Sequence, residues 1–173
     1  MTVPDLLTDR LRLRAHGVAD HDAASAMWAD AGVVRHIGGK PFTPSDVWAR
    51  MLRYRGMWSM LGYGFWLIEE RASGAFLGEI GLMDARRDID PPITEIEVGW
   101  ALASTAWGKG IATEALRAVV QWADTQLGAA TLVCMIEDGN DASIAVAGKF
   151  GFVPYARADY GGAAVTLLRR ARP

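Results

Sequence analysis

One segment of the sequence, Glu97 to Leu116, combines residue types and spacing that suit chemistry. Gly108 and Gly110 stand in this segment at the entrance of a predicted helix. The first backbone N–H groups of a helix have no partners inside the helix, and the helix dipole is positive there. Glycines at such a point let a phosphate approach the main chain closely. The spacing therefore predicts a phosphate site, although glycines that only make a tight turn would follow the same pattern.

Two nucleotide-binding motifs can be compared with this segment residue by residue. A Walker A loop needs a glycine, four residues and then Gly-Lys-Ser/Thr. Here Gly108-Lys109 is followed by another glycine, and Ala103 stands where the first glycine should be, which excludes that loop. The dinucleotide fingerprint needs a third glycine, which is Thr113 here, although Glu137 could imitate its ribose-binding acid. A nicotinamide-dependent oxidoreductase therefore stays as an alternative.

Strands and helices must position this segment, and hydrophobic periodicity locates them. Predicted strands cover residues 10–14, 63–70, 75–83, 93–102, 131–136, 152–157 and 163–169. Predicted helices cover residues 18–31, 43–60, 110–127 and 141–150. Strands and helices alternate in the second half, and no linker interrupts the chain. The sequence therefore predicts one mixed α/β domain over residues 1–173, with helices on both faces of its sheet.

Composition narrows the class of protein. With 51% hydrophobic and 22% charged residues, the chain is ordinary for a folded globular protein. Its net charge of −2 disfavours sequence-independent binding of nucleic acid. The sequence shows neither an apolar run long enough to span a membrane nor a signal peptide, so we expect a cytoplasmic protein.

The single cysteine, Cys134, limits covalent and metal chemistry. One thiol excludes an internal disulfide framework and a zinc site built from several thiolates. Its neighbours are apolar, which predicts a buried packing residue rather than a nucleophile. We expect the protein to need no metal.

Several short motifs occur in an order that is typical of one family. They are Leu7-Thr-Asp-Arg-Leu-Arg-Leu-Arg14, Val34-Arg-His-Ile-Gly-Gly39, Glu97-Val-Gly-Trp100, Trp107-Gly-Lys-Gly-Ile-Ala112, Asn140-Asp-Ala-Ser143 and Lys149-Phe-Gly-Phe152. The fourth resembles the acyl-CoA pyrophosphate loop of the GNAT (GCN5-related N-acetyltransferase) family. Together the motifs resemble its RimJ/RimL branch, which acetylates ribosomal protein N-termini. The resemblance covers nearly the whole chain.

The resemblance implies a twisted, mostly antiparallel sheet that splays beside the pyrophosphate loop, and it implies acetyl-CoA as co-substrate. The pantetheine arm would lie in the splay. Carried over by position, the residues that would bind the coenzyme through main-chain groups are Leu102, Trp107, Gly108, Lys109, Gly110, Ile111, Ala112 and Thr113. Asn140 would hydrogen-bond the same arm, and it suits the N-cap of its helix equally. Trp107 replaces the Gln or Arg of the general family pattern, and tryptophan is common there in this branch.

Transfer of an acetyl group to an amine needs a base that takes the amine proton. Glu97 stands in the position that the family uses for this base. Glu95, on the same face of the predicted strand, is the second candidate, and Glu79 on a neighbouring strand is the third. Glu95 and Glu97 would instead be structural if they were solvated or paired with Arg86 or Arg87.

A group that protonates or hydrogen-bonds the departing thiolate is harder to find in this sequence. Many relatives place a tyrosine where this chain has Ala147. Ser143 resembles a serine that the ribosomal-protein branch uses at the coenzyme sulfur, and a second helix-capping hydroxyl is an equal alternative for it. Tyr155 and Tyr160 are further candidates that sequence alone does not locate.

These expectations converge on an acetyl-CoA-dependent N-acetyltransferase that acts on a primary amine by direct attack. The acceptor, a protein N-terminus or a small molecule, stays open, as does the choice between monomer and homodimer. A catalytically silent acyl-CoA-binding module is the alternative from another class. The sequence favours a structural role for His36, because no acid or thiol stands near it at a diagnostic spacing.

Overall fold

A computed structural model describes residues 2–172 as an eight-stranded sheet flanked by helices. The strands are β1 (Leu6–Leu7), β2 (Leu11–Arg14), β3 (Phe65–Glu70), β4 (Phe76–Met83), β5 (Ile96–Leu102), β6 (Thr131–Glu137), β7 (Val153–Tyr160) and β8 (Ala163–Ala171). Their order across the sheet is β1-β2-β3-β4-β5-β6-β8-β7. Within residues 2–172, all neighbouring strands are antiparallel except β5 and β6, which run parallel.

Helices cover both faces of this sheet, which confirms the predicted mixed α/β fold. They are α1 (His21–Ala29), α2 (Ala31–Val34), α3 (Pro44–Leu61), α4 (Ile111–Trp122) and α5 (Asp141–Gly148). The helices α4 and α5 share one buried cluster with inward side chains of the strands, whereas α1, α2 and part of α3 share another with Ala101. No helix within residues 2–172 is both long and apolar enough to cross a membrane.

The long helix α3 begins and ends where its sequence predicts. Thr43 and Asp46 form a capping box: the Thr43 hydroxyl oxygen accepts from the Asp46 N–H at 3.2 Å, and the Asp46 carboxylate accepts from the Thr43 N–H at 2.9 Å. Pro44 occupies the first helical position, and Gly62 ends the helix with φ at 78°. These caps fix the helix that supplies one wall of the cavity described below.

A continuous helix over residues 18–31 was a wrong prediction. A short 3-10 turn precedes α1, and α1 ends before Asp30, whose side chain accepts from the Gly32 N–H at 2.8 Å and caps α2. The Asp30 carboxylate also accepts a hydrogen bond from Ser104 at 2.7 Å. This long-range partner favours the break at Asp30 over a longer helix. The second helix, α2, then continues to Val34, past the predicted end at residue 31.

Three tryptophans join α3, β3 and α4. Trp58, Trp66 and Trp122 lie edge-to-face with ring centroids 4.7 to 5.5 Å apart. Such aromatic contacts stabilise packing beyond their buried area, by about 0.5–1.5 kcal/mol for each pair. Trp122 is the last residue of α4, so these contacts hold the C-terminal end of α4 against α3 and the sheet.

Candidate active site

The parallel strands β5 and β6 separate soon after they meet. They pair only at Ile96 with Leu132 and at Glu97 with Val133. Beyond these pairs the strands diverge, and the gap opens into a cavity of about 700 Å³ between the sheet, α1, the segment after α2, α3 and the start of α5. Clefts of this size beside a break in a sheet are typical small-molecule sites.

Main-chain polar groups of β5 are left without a partner strand in this gap. Leu102 lies opposite Gly78 of β4, and the flanking Ala103 N–H bonds the Leu77 carbonyl at 3.0 Å. In an antiparallel ladder the groups of alternate residues point to opposite sides. Leu102 and Trp100 therefore direct their N–H and C=O groups away from β4, toward the gap, where an extended ligand arm could bond them.

The Trp107 side chain is hydrogen-bonded to one of these main-chain groups. Its indole N–H donates to the Leu102 carbonyl at 3.0 Å, and its ring packs beside Gly32. The Leu102 carbonyl is therefore engaged within the protein, and the Leu102 N–H is the group that remains for a ligand. The side chain that replaces the usual Gln or Arg of the family pattern thus links the glycine loop to the end of β5.

The glycine loop leads directly into the first turn of α4. Gly108 and Gly110 have φ values of 70° and 74°, which glycine adopts without strain. Gly110 is the N-cap, and its carbonyl accepts from the Glu114 N–H at 3.0 Å. The N–H groups of the first turn are thus directed outward at the positive end of the helix dipole. This geometry suits a phosphate.

An ion pair that the sequence did not indicate connects this loop to Arg10, the residue before β2. Arg10 donates to the Lys109 carbonyl at 3.0 Å and pairs with the Glu114 carboxylate at 2.6 Å, which also accepts from Thr8 at 2.5 Å. Partial burial acts to raise the pKa of Glu114, but the hydrogen bonds from Thr8 and Arg10 outweigh it and lower that pKa. Arg10 and Glu114 are 104 residues apart, so no local pattern reveals the pair.

Asn140 and Ser143 lie at the start of α5, on the edge of the cavity. The Asn140 side-chain oxygen accepts from the Ser143 N–H at 3.2 Å, which confirms the predicted N-cap. Capping uses the oxygen of Asn140, so its NH₂ end is the donor that a ligand could meet. The cap also fixes Ser143 in the first turn of the helix.

Glu97 lines the cavity and is 3% exposed. Arg87 binds both of its oxygens, through Nε and Nη2, each at 2.8 Å. Burial opposes the charge of Arg87, but the hydrogen bonds to Glu97 raise the pKa of Arg87 above its ordinary value. The guanidinium also lies 4.9 Å from the ring centroid of Tyr160, which lines the cavity as well. The pairing with Arg87, which the sequence analysis connected with a structural role for Glu97, is therefore present, and it holds the Glu97 carboxylate in one orientation at the cavity wall.

The two other candidate bases have different surroundings. Glu95 pairs with Arg169 at 2.8 Å and does not line the cavity. Glu79 lines the cavity, is 1% exposed and accepts hydrogen bonds from the Trp28 indole at 3.1 Å and from the Tyr54 hydroxyl at 3.2 Å. Burial, together with the charge of Glu79, raises the pKa of Tyr54. The Glu79 carboxylate thus joins the side chains of Trp28 and Tyr54 in the buried wall of the cavity.

Two further side chains on this wall were not predicted from the sequence. His36 Nδ1 lies 3.3 Å from a carboxylate oxygen of Glu137, and both side chains are a quarter exposed. Arg50 donates through Nε to the Tyr54 hydroxyl at 2.7 Å. His36 and Glu137 are 101 residues apart, which explains why spacing did not reveal the pair.

Of two further residues considered from the sequence, Cys134 is buried and Tyr155 is half-buried. Cys134 is 1% exposed and free; burial, with the charge of Glu97 added, raises the pKa of its thiol. This agrees with a packing role. The Tyr155 hydroxyl is buried without a hydrogen-bond partner among residues 2–172 and lies outside the cavity lining.

Comparison with known proteins decides the family. Residues 10–153 match the model of the acetyltransferase (GNAT) domain. The chain belongs to the GNAT acetyltransferases. It is 31% identical over 152 residues to the uncharacterized protein YkkB of Bacillus subtilis (strain 168), covering 84% of this chain and 83% of that one.

Solved structures agree with this membership. An acetyltransferase from Agrobacterium tumefaciens str. C58 has 28% identity and a TM-score of 0.84, covering 99% of this chain and 96% of that one. Spermidine N-acetyltransferase from Vibrio cholerae, solved in complex with CoA and spermine, shares the fold at 14% identity and a TM-score of 0.75, covering 95% and 96%. Membership in the GNAT family implies acetyl transfer from acetyl-CoA to an amine, and it leaves the acceptor unspecified.

Proposed function

We propose that this GNAT protein transfers the acetyl group of acetyl-CoA to a primary amine by direct attack. One observation carries the proposal: β5 and β6 separate beyond Glu97, and the cavity at this separation contains Glu97, Asn140 and Ser143, while β5 leads on to the glycine loop at the start of α4. A carboxylate, a gap in the sheet and a candidate phosphate loop thus follow one another along the chain from β5 to α4.

The coenzyme would be held mainly by main-chain groups. The outward N–H groups of residues 107–113 would bind the pyrophosphate, since this segment combines the glycine loop with a helix N-terminus. The Leu102 N–H and the NH₂ end of Asn140 would bind the pantetheine arm along the gap. The bound coenzyme supplies an acetyl thioester, the electrophile of the reaction.

Glu97 is proposed as the general base, acting through a water molecule. Its oxygens each accept from Arg87 but retain further lone pairs for a water in the cavity. Arg87 holds the carboxylate in one orientation. An α-amine, with an ordinary pKa of about 7.7–8.0, needs less help from a base than a lysine amine at about 10.4.

Ser143 is proposed to hydrogen-bond the departing sulfur. It lies in the first turn of α5 and lines the cavity. Negative charge that develops on the sulfur would face the positive end of that helix. The sulfur would then need no tyrosine at position 147, where the chain has a buried alanine.

Within the family, we place the chain in the RimJ/RimL-like branch. The support is the motif order together with Trp107, which the branch commonly has and which here bonds the end of β5. One sheet runs from Leu6 to Ala171, which supports treating residues 1–173 as a single domain.

The test has two steps. Calorimetric titration of the purified protein with acetyl-CoA, CoA and NADH should show binding of the two coenzyme A species and none of NADH. Free thiol release should then be followed with peptides that have free N-termini and with small amines. Tight binding without turnover of any amine would contradict acetyl transfer and favour a silent acyl-CoA-binding module.

A further inference from the structure

Two of the arginines that line the cavity differ in their partners. Arg87 binds the carboxylate of Glu97 through Nε and Nη2. Arg50 is half-buried in the cavity wall, and no carboxylate of residues 2–172 lies within 4 Å of its guanidinium nitrogens. An arginine in a partly desolvated site is normally paired, since its fork matches a carboxylate. Arg50 therefore has an unfilled capacity for an anion.

Arg50 is held in a fixed orientation. Its guanidinium lies 4.1 Å from the ring centroid of Trp28 and 5.1 Å from that of Phe42, two rings that stack on each other. Its Nε donates to the Tyr54 hydroxyl at 2.7 Å. Stacking and this hydrogen bond restrict the side chain in advance, which lowers the entropy lost when a ligand binds. The terminal nitrogens Nη1 and Nη2 are left to donate.

The charged residues around Arg50 favour a ligand that carries both a positive and a negative charge. Arg35 and Arg53 also line the cavity, are exposed, and have no carboxylate partner within 4 Å among residues 2–172. The carboxylates of Glu79 and Glu97 line the same cavity. Only the Tyr54 hydroxyl separates Arg50 from Glu79, through hydrogen bonds of 2.7 and 3.2 Å. A polyamine would meet unpaired positive charge here, whereas an amine with a nearby anionic group would be matched.

We propose that the acceptor is a small amine that also carries a carboxylate, such as a free amino acid, and that Arg50 binds this carboxylate through Nη1 and Nη2. The inference rests on the proposed acetyl transfer and specifies its acceptor class. Arg50 would act in substrate binding and orientation, with Glu97 toward the amine.

Matched acceptors test the proposal on the wild-type protein. L-leucine, L-leucinamide and 3-methylbutylamine share one side chain and differ only at the carboxylate, and the same series is made for phenylalanine and methionine. Spermidine is included as a polycation. Rates are expressed per unprotonated amine, because the three amines of a series ionise differently. A charged hydrogen-bonded pair predicts kcat/KM about 10- to 100-fold higher for the amino acid than for its two analogues.

Variants then assign the preference to Arg50. In R50K and R50Q the advantage of the amino acid should fall to about twofold, through KM of the acceptor, while KM for acetyl-CoA stays unchanged. The matched control is R55Q, because Arg55 is exposed on the same helix outside the cavity lining. Thermal unfolding of each variant shows whether it folds, and the wild-type series stands without the variants.

The outcomes separate this inference from the proposed function. Equal kcat/KM across each series, or a preference for spermidine or for peptides, would overturn the carboxylate proposal and leave acetyl transfer standing. A preference that persists in R50Q would overturn the role of Arg50. Absence of turnover with every amine would overturn acetyl transfer and, with it, the acceptor class.

Discussion

The proposed site has two sides that are built in different ways. The proposed coenzyme side consists of the main chain at Leu102, the loop from Trp107 to Thr113, and the capped start of α5. The proposed acceptor side is the cavity, whose charged and aromatic side chains come from α1, α3, the strands and the segment after α2, with pairs such as His36 with Glu137. Main-chain groups present the same donors whatever the side chains are, whereas a wall made of side chains changes with every substitution. One fold can therefore bind the same coenzyme while its acceptor changes with the side chains of the cavity.

This comparison predicts that substitutions on the coenzyme side change coenzyme binding alone, and that substitutions on the acceptor side change acceptor kinetics alone.

The largest effect is expected at Gly110. In G110D a side chain and a negative charge would meet the pyrophosphate, at a φ of 74° that strains any residue other than glycine. Calorimetry should show acetyl-CoA affinity lowered by about 100-fold or more, in line with the loss of a charged hydrogen-bonded site. The matched control is G74D, because Gly74 has a φ of 72° in the turn between β3 and β4, away from the cavity. Equal loss of binding in both variants would mean that backbone strain, and not the phosphate site, is responsible.

Substitution of Glu97 should instead lower turnover and leave coenzyme binding unchanged. E97Q removes the proposed base, so kcat should fall by about 10²- to 10⁴-fold while the Kd of acetyl-CoA stays the same. The deficit should shrink as pH rises, since more of the amine is then unprotonated without help. E95Q is the control, because Glu95 pairs with Arg169 outside the cavity. Normal turnover by E97Q at neutral pH would show that Glu97 is not the base.

A smaller effect should follow loss of the ion pair that supports the glycine loop. R10Q removes the contacts of Arg10 with Glu114 and the Lys109 carbonyl. The Arg10 side chain is about half exposed, so solvent screens the pair and its loss should weaken acetyl-CoA binding only about threefold. Acceptor KM should not change. R12Q, which removes the contacts of Arg12 with Asp5 and Glu69 away from the glycine loop, is the comparison. A shift in acceptor preference in R10Q would show that the two sides are coupled.

The smallest effect concerns stability in acid. The folded-state pKa of Glu114 lies below its unfolded value of about 4.3, so its contribution to stability is present above that value and is lost as pH falls through the folded pKa. Thermal midpoints measured from pH 3 to pH 7 should therefore fall slightly less in E114Q than in the wild type. An identical pH dependence in both proteins would show that Glu114 is not linked to folding.

The sequence was sufficient wherever a signal is local. Periodicity and caps located α3 and α4 and most of the strands, and two glycines next to a helix start indicated the proposed phosphate site. Thr43 and Asp46, three residues apart, form the capping box that their spacing predicts. These features depend on residues that are close together in the sequence, so the sequence alone is enough to predict them.

Tertiary structure decided everything that depends on distant partners. The break at Asp30, where Ser104 adds a hydrogen bond, and the pairs Arg10 with Glu114 and His36 with Glu137 each join residues more than 70 positions apart. Arg87 and Glu97 are only 10 residues apart, and the sequence named their pairing as one alternative; the structure decided that the pair forms, with Arg87 on both oxygens of Glu97. Arg50 has no local motif, and only packing against Trp28 and Phe42 shows that its terminal nitrogens are free for an anion. The sequence by itself thus determined the fold and indicated the main-chain groups that we propose for the coenzyme, while the fold's long-range packing decided the charges in the cavity.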